Sequence, residues 1–141
     1  MITPHDFKLS KSDYERLAQF RYLVRSFLAF SDTAARRAGL TARQHQALLA
    51  IKGYPERQRV SVGELAERLG LRHHSVVGLL DRLASHGLIR RQTSTGDRRQ
   101  VLIELTPKAE TMLEHLSRAH RAELKRLAPL LQPLLEQFRE G

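Results

Sequence analysis

The stretch that decides the fold is SVGELAERLGLRHHSVVGLLDRLASHGLIRRQTSTGDRRQVLIEL, residues 61–105. Its first residues include Ser61 and Glu64, the hydroxyl and carboxylate of a capping box, which predicts the start of a helix. Gly70 predicts the end of that helix, because a sharp turn requires a left-handed residue. A second helix is expected from about residue 72 to Gly87, with apolar residues at helical spacing. Two short helices joined through one glycine are typical of a helix-turn-helix.

A basic hairpin follows the two helices. Residues 88–92 and 100–105 are the predicted strands, because Val101, Ile103 and Leu105 alternate with Leu102 and Glu104 in a period of two, and residues 93–97 have the composition of a turn. Four arginines are concentrated on this short ribbon: Arg90, Arg91, Arg98 and Arg99. A helix-turn-helix followed by a hairpin is a winged helix-turn-helix, in which one helix enters a DNA groove and the wing lies beside it.

Long apolar helices are predicted on both sides of this unit. The capping box of Ser12 and Glu15 predicts a helix over residues 12–38, and Thr106 followed by proline predicts another over residues 107–139, broken or kinked at Pro129. The first helix carries too many apolar residues for one buried stripe, and the last keeps a long apolar stripe, so either helix alone would expose a large apolar patch. Pairing with a second copy removes that patch, which predicts an isologous homodimer.

These elements predict a mainly α fold with a small β-hairpin wing, in a single domain of residues 1–141. Residues 12–38 and 107–139 are the expected dimerisation helices. Residues 41–105 are the expected winged helix-turn-helix lobe, whose first helix begins at a second capping box formed by Thr41 and Gln44.

Composition narrows the class of partner. Of 141 residues, 41% are hydrophobic, and 24 basic residues against 15 acidic ones give a formal charge of +9, which favours a polyanion such as DNA. The chain contains no cysteine, so disulfides, cysteine-ligated zinc and thiol switches are excluded. No apolar run approaches the roughly 20 residues of a membrane span, and the first residues lack a signal-peptide core. We therefore expect a cytoplasmic protein without a membrane partner.

The second helix of the helix-turn-helix is the expected reader of DNA bases. Once its inward positions are removed, the candidates for contact are Arg72, His73, His74, Ser75, Val77 and Gly78. Arg82 is expected to reach a phosphate or an acidic neighbour such as Asp81. An ordinary solvent-exposed helix face would have the same composition, so the alternative that these residues do not contact DNA stays open. The wing is the stronger signal, because an arginine at a loop tip enters the narrow minor groove. Asp97 is spaced to orient Arg99 across the turn.

The chain resembles the MarR family of bacterial winged-helix regulators in three successive stretches. They are LTARQHQALLAI, then SVGELAERLGLRHHSVVGLLDRLASHGLIRR, then TGDRRQVLIELTPKA. The most specific pieces are Asp81-Arg82-Leu83 followed by Gly87-Leu88, and Asp97-x-Arg99 running into the second strand. The resemblance implies a homodimer that binds a palindromic operator in double-stranded DNA, represses neighbouring genes and is relieved by a small, often aromatic effector. The family's wing pair falls on Asp97 and Arg99. Where many members carry threonine and arginine in mid-helix, this chain has Val77 and Gly78.

A small-molecule pocket is predicted where aromatic residues and a histidine converge with the helix after Thr106: Phe20, Phe27, His45 and Tyr54. The same side chains would serve equally well as core and dimer contacts. The sequence has no phosphate loop, HExxH or GxSxG motif, so an enzyme is not expected. Neither a cofactor nor a metal site is expected, because His115 and His120 are five residues apart and lie on different helix faces.

The sequence thus predicts a dimeric, sequence-specific DNA-binding regulator of transcription, a repressor that a small effector relieves. Two alternatives remain open. One is a winged-helix module that binds another protein, and the other is an architectural protein that binds DNA without sequence preference.

Overall fold

The computed structural model describes residues 8–94 and 100–139. Its elements in chain order are α1 (Lys11–Arg37), α2 (Ala42–Lys52), β1 (Val60–Ser61), α3 (Val62–Leu69), α4 (His73–Ser85), β2 (Ile89–Thr93), β3 (Val101–Leu105) and α5 (Pro107–Arg139). The predicted class, mainly α with a small β wing, is confirmed. None of the helices in the described ranges is long and apolar enough to cross a membrane.

The chain divides into two compact units, which are described separately. One unit contains the segments up to Ser31 and from His120 onward, and the other is Asp32–Ala119. In the first unit, Leu23 of α1 and Leu127 of α5 are buried. The assignment of residues 12–38 and 107–139 as dimerisation helices stays a prediction.

The core of the second unit lies where α2, α3 and α4 pack against the sheet. Its fully enclosed side chains come from every one of these elements: Leu48, Ile51, Val60, Leu65, Val76, Leu80, Leu83 and Ile103. Because helices and strands each bury one face here, the opposite face of α4 is left at the surface.

The sheet has three antiparallel strands in the order β1-β3-β2, whereas the sequence predicted two. The hairpin pairs Ile89 with Leu105 and Thr93 with Val101, and Val60 of β1 pairs with Ile103 on the other edge of β3. Residues 60–61 show no alternation that identifies a strand, because two residues are too few for a period. Their pairing depends on β3 lying beside them.

Two of the three predicted capping boxes are confirmed and one is wrong. Thr41 with Gln44 and Ser61 with Glu64 both make the reciprocal bonds. At the first helix the predicted pair Ser12 and Glu15 is replaced by a pair two residues earlier. The backbone N–H of Ser10 donates to Oδ2 of Asp13 at 2.8 Å, and that of Asp13 donates to Oγ of Ser10 at 3.3 Å. Asp13 serves as well as Glu15 because its carboxylate reaches back over a single turn.

Of the break or kink predicted at Pro129, the break is wrong, because α5 is one helix of 33 residues that contains both Pro129 and Pro133; the kink stays a prediction. Each proline removes one backbone hydrogen bond and crowds the preceding turn. Both side chains are exposed. The carbonyl groups that lose a donor can therefore be solvated by water, which allows the helix to continue.

Candidate nucleic-acid interface

The turn between α3 and α4 is built by hydrogen bonds at both ends of α3. Ser61 and Glu64 cap its first turn. The backbone N–H of Ser61 donates to Oε1 of Glu64 at 3.0 Å, and the backbone N–H of Glu64 donates to Oγ of Ser61 at 3.1 Å. At its end Gly70 has a φ of 64° and donates to the carbonyls of α3, while Leu71 donates to Ala66 at 3.0 Å. This left-handed cap redirects the chain within two residues and so sets the direction of α4.

The outer face of α4 carries the predicted base readers. Val76, Leu79, Leu80 and Leu83 point into the core, while Arg72, His73, His74 and Ser75 are exposed at the first turn. Val77 keeps 38% of its side-chain surface exposed. The four polar residues and Val77 therefore stand together at the N-terminal end of α4, the end of a recognition helix that reaches base edges.

Arg91 of β2 forms an ion pair with Asp81 of α4. The sequence offered Asp81 as a partner for Arg82, but in the structure the carboxylate of Asp81 pairs with Arg91 instead. The contact joins the second half of α4 to β2, so the orientations of these two elements are coupled. The side chains of Arg91 and Asp81 are 38% and 61% exposed, so this ion pair adds little to the stability of the fold and chiefly orients the two side chains.

Arg90 is exposed on β2, directly opposite Glu104 of β3. That carboxylate is bound at 3.2 Å by Arg59, from the segment before β1. Asp97, Arg98 and Arg99, the predicted tip contacts, lie outside the described residues.

A cluster that the sequence did not predict joins the segment after α2 to α3. Arg57 forms an ion pair with Glu64, and the guanidinium carbons of Arg57 and Arg68 lie 4.8 and 5.1 Å from the ring centroid of Tyr54. The backbone N–H of Ser61, with further help from Arg57 and Tyr54, lowers the pKa of Glu64 to about 2. The capping box identified Glu64 from the sequence, but no sequence spacing predicts that Tyr54 and Arg57 contact it.

A groove lies beside the reading face, between α4 and the sheet. Its volume is about 490 Å³, and apolar side chains form most of its walls: Val62, Val77, Leu80 and Val101. His73 and the ion-paired Asp81 and Arg91 also line it. Such a groove can enclose a small apolar molecule and offers it a guanidinium at one side.

The residues of the predicted pocket are found in two separate units. Phe20 and Phe27 belong to the first unit, where the ring of Phe27 meets that of His120 edge-on at 5.8 Å. His45 and Tyr54 belong to the second, with His45 buried in α2 and Tyr54 beside Arg57 as described above. Their role as a pocket stays a prediction.

These elements define a fold of the winged helix-turn-helix class: α3 is capped, a left-handed turn follows it, α4 faces outward and a hairpin is joined to α4. Residues 38–100 match the sequence model of the MarR family. The HTH-type transcriptional regulator YfiV of Bacillus subtilis (strain 168), itself uncharacterized, is 36% identical over 74 residues, which are 52% of this chain and 46% of that protein. The chain thus spans about half the length of this curated relative.

Solved structures share the fold over nearly the whole chain. RV1404 from Mycobacterium tuberculosis has a TM-score of 0.74 at 20% identity, covering 95% of this chain and 97% of that one. AbsC, a MarR family transcriptional regulator from Streptomyces coelicolor, has a TM-score of 0.69 at 18% identity, covering 95% and 99%. Wild-type MarR from E. coli in its apo form has a TM-score of 0.67 at 19% identity, covering 93% and 98%. Over residues 38–100 the chain is thus similar to the MarR family in sequence, and over nearly its whole length it shares the fold of these structures.

Proposed function

We propose that this protein is a dimeric, sequence-specific regulator of transcription that binds a palindromic operator and represses neighbouring genes. The observation that carries the proposal is the exposed row Arg72, His73, His74 and Ser75 at the start of α4, held outward by a buried apolar face. The similarity of residues 38–100 to the MarR family supports a regulator rather than an enzyme. A protein with this role works beside the chromosome, so the proposal includes a cytoplasmic location.

Charge favours DNA as the partner of this face. The chain carries a formal charge of +9, and Arg72 and Arg90 are exposed on α4 and on the wing. Each cation that meets a phosphate releases a condensed counterion, so affinity should fall steeply as salt rises. Arg98 and Arg99 at the wing tip are proposed to add contacts to the minor groove, with Asp97 orienting Arg99.

Binding to DNA is tested with duplexes from the region upstream of the gene and a scrambled duplex of equal length. Fluorescence anisotropy at several salt concentrations should show specific binding tighter by a factor of at least about 1,000. Equal affinity for both duplexes, with a steep salt dependence, would indicate an architectural protein instead. No binding even at low salt would favour the protein–protein module.

The wing is tested by Arg99→Ala, which should weaken operator binding by about 1–3 kcal/mol while the melting curve stays unchanged. Asp97→Ala should produce a smaller loss, because Arg99 is then free to wander. Unchanged affinity in Asp97→Ala would remove the orienting role and leave the rest of the proposal standing.

Exposed apolar side chains on α1 and α5 support the dimer. On α1 they are Tyr14, Leu17, Tyr22, Val24 and Leu28, and on α5 they are Leu124, Leu130, Leu135 and Phe138. So many large apolar side chains on two helices are typical of a surface that a second copy covers. Two copies related by a two-fold axis would place their recognition helices about 34 Å apart, one turn of DNA.

Leu135→Glu tests the dimer, because Leu135 is 53% exposed and its replacement leaves the buried residues intact. Sedimentation should show a species of half the mass, with weakened operator binding. Gln132→Glu on the same helix is the matched control, since it adds the same charge without removing apolar surface. A Leu135→Glu protein that sediments as the wild type does would contradict this interface.

The effector is proposed to be a small aromatic acid in the groove beside α4. Its apolar walls can bury a ring, and Arg91 can meet a carboxylate. Because Val77 lines the groove and also stands on the reading face, an occupied groove would compete with DNA. Phe20, Phe27, His45 and Tyr54 are the alternative location.

Benzoate and its hydroxylated derivatives are the probes, with thermal shift and release of bound DNA as readouts. Val101→Trp should fill the groove and abolish both responses, whereas Tyr54→Leu should leave them unchanged. The opposite pattern would move the effector to the alternative location.

A further inference from the structure

Arg82 reaches back along the recognition helix to the place where residue 78 has no side chain. Nη2 of Arg82 lies 3.9 Å from the position that a Cβ atom on Gly78 would take. Helical side chains lean toward the N-terminus, and residues four apart are neighbours on one face. The guanidinium therefore stands beside the middle of α4, one turn before its own Cα.

This guanidinium makes no ion pair with any residue in the described ranges. The adjacent carboxylate, Asp81, is bound to Arg91 instead. The backbone at Arg82 is held in place, because its carbonyl accepts hydrogen bonds from Oγ of Ser85 at 2.8 Å and from the N–H of His86 at 3.2 Å. Among the described residues, Arg82 is therefore an exposed cation without an acidic partner, and it can bind an anion or an acceptor from another molecule.

The position of the cation favours a base over a phosphate. His74, Gly78 and Arg82 follow one another at intervals of four, so they form one row along the exposed face of α4. In a helix that lies in the major groove, the middle of this row faces base edges. A guanidinium there can donate two hydrogen bonds to O6 and N7 of guanine, the commonest specific contact in DNA complexes.

We propose that Arg82 determines the specificity of the recognition helix by reading a guanine through the space that Gly78 leaves open. The inference rests on the proposed function, since it assigns a base contact within that same interface. Gly78 contributes by its lack of a side chain: a long side chain at 78 would occupy the place of the guanidinium and displace it. A methyl group would not, because 3.9 Å is an ordinary van der Waals distance.

The experiment begins with selection of an operator from random double-stranded DNA by the wild-type dimer. Dissociation constants are then measured for the selected duplex and for a set in which each base pair is replaced in turn. The proteins are the wild type, Arg82→Ala, Arg82→Lys, Gly78→Leu and, as the matched control, Gly78→Ala. Circular dichroism confirms that each variant is folded.

Arg82→Ala should weaken binding to the selected operator by about 5- to 150-fold and abolish the preference for one G·C pair in each half-site. Arg82→Lys should lose most of that preference although it keeps the charge, because an ammonium cannot make the bidentate contact. Gly78→Leu should resemble Arg82→Ala, and Gly78→Ala should resemble the wild type.

Two results would overturn the inference while leaving the proposed function intact. In the first, Arg82→Ala weakens binding to all duplexes equally and lowers the salt slope by about one, which identifies a phosphate contact. In the second, Arg82→Ala keeps the wild-type preference at every position. A wild-type protein that selects no sequence at all would refute the proposed function itself, and the inference with it.

Discussion

Glu64 gives the sharpest test of how the helix-turn-helix is held together. One of its carboxylate oxygens accepts the N–H of Ser61 at 3.0 Å, and the other is paired with Arg57. Glu64→Gln keeps an oxygen that can cap α3 but removes the charge. We therefore expect the variant to lose the ion pair and the charge-assisted part of the cap, with its fold unchanged.

The size of the effect follows from the pKa of Glu64, which falls from 4.5 to about 2 in the folded protein. A difference of roughly 2.5 pH units corresponds to at most about 3.4 kcal/mol of stability above pH 4.5. The partner Arg57 is 51% exposed, so solvent screens the pair. We expect Glu64→Gln to lower the free energy of unfolding at pH 7 by about 1–2 kcal/mol.

The dependence on pH has a definite sign. A depressed carboxyl pKa stabilises the folded state above the unfolded pKa, and this contribution disappears as pH falls from about 4.5 to about 2. Urea unfolding followed by circular dichroism between pH 7 and pH 3 should show the difference between wild type and variant shrinking to less than half. Glu67→Gln is the control on the same helix, because Glu67 forms no ion pair with the residues described. A difference that is the same at pH 7 and pH 3 would refute this account of the cluster.

Two further changes probe the fold around the interface. Thr106→Val should lower the free energy of unfolding by about 1–3 kcal/mol. The reason is that Oγ1 of Thr106 accepts the N–H of Ala109 at 3.2 Å and donates to the carbonyl of Gly87 at 2.7 Å. Thermal melts measure the loss, and an unchanged melting temperature would show that neither hydrogen bond stabilises the fold. Glu56→Gly should raise the free energy of unfolding by about 0.5–1 kcal/mol, since Glu56 has a φ of 63° that strains a residue with a Cβ atom; urea unfolding decides it, and Glu56→Ala should bring no such gain.

Local patterns predicted much of the lobe correctly. The bounds of α3 followed from Ser61, Glu64 and Gly70, whose effects depend on the nearest few residues alone. The same reasoning was less accurate at α1, where several hydroxyl and carboxyl residues compete within one turn and Ser10 caps the helix instead of Ser12. At Pro129 the rule that an internal proline ends a helix did not hold, because both helical prolines are exposed and the helix continues past them.

The candidate interface was predicted only in part. The exposed positions from Arg72 to Val77 follow from helical periodicity, which separates inward from outward residues without any knowledge of the fold. The partner of each charged group does not follow from it. Asp81 was equally consistent with Arg82 beside it and with Arg91 ten residues later, and only the packing of β2 against α4 selects the second.

The sequence by itself therefore determined the order of the elements, the face that α4 presents and the basic character of the wing, because capping, periodicity and charge are local properties. Only the tertiary structure decided the third strand, the cluster of Tyr54 and Arg57 with Glu64, and the freedom of Arg82 to lie over Gly78. Those features depend on distances between residues remote in the chain, or on where one long side chain comes to rest. Such distances are set when the core closes.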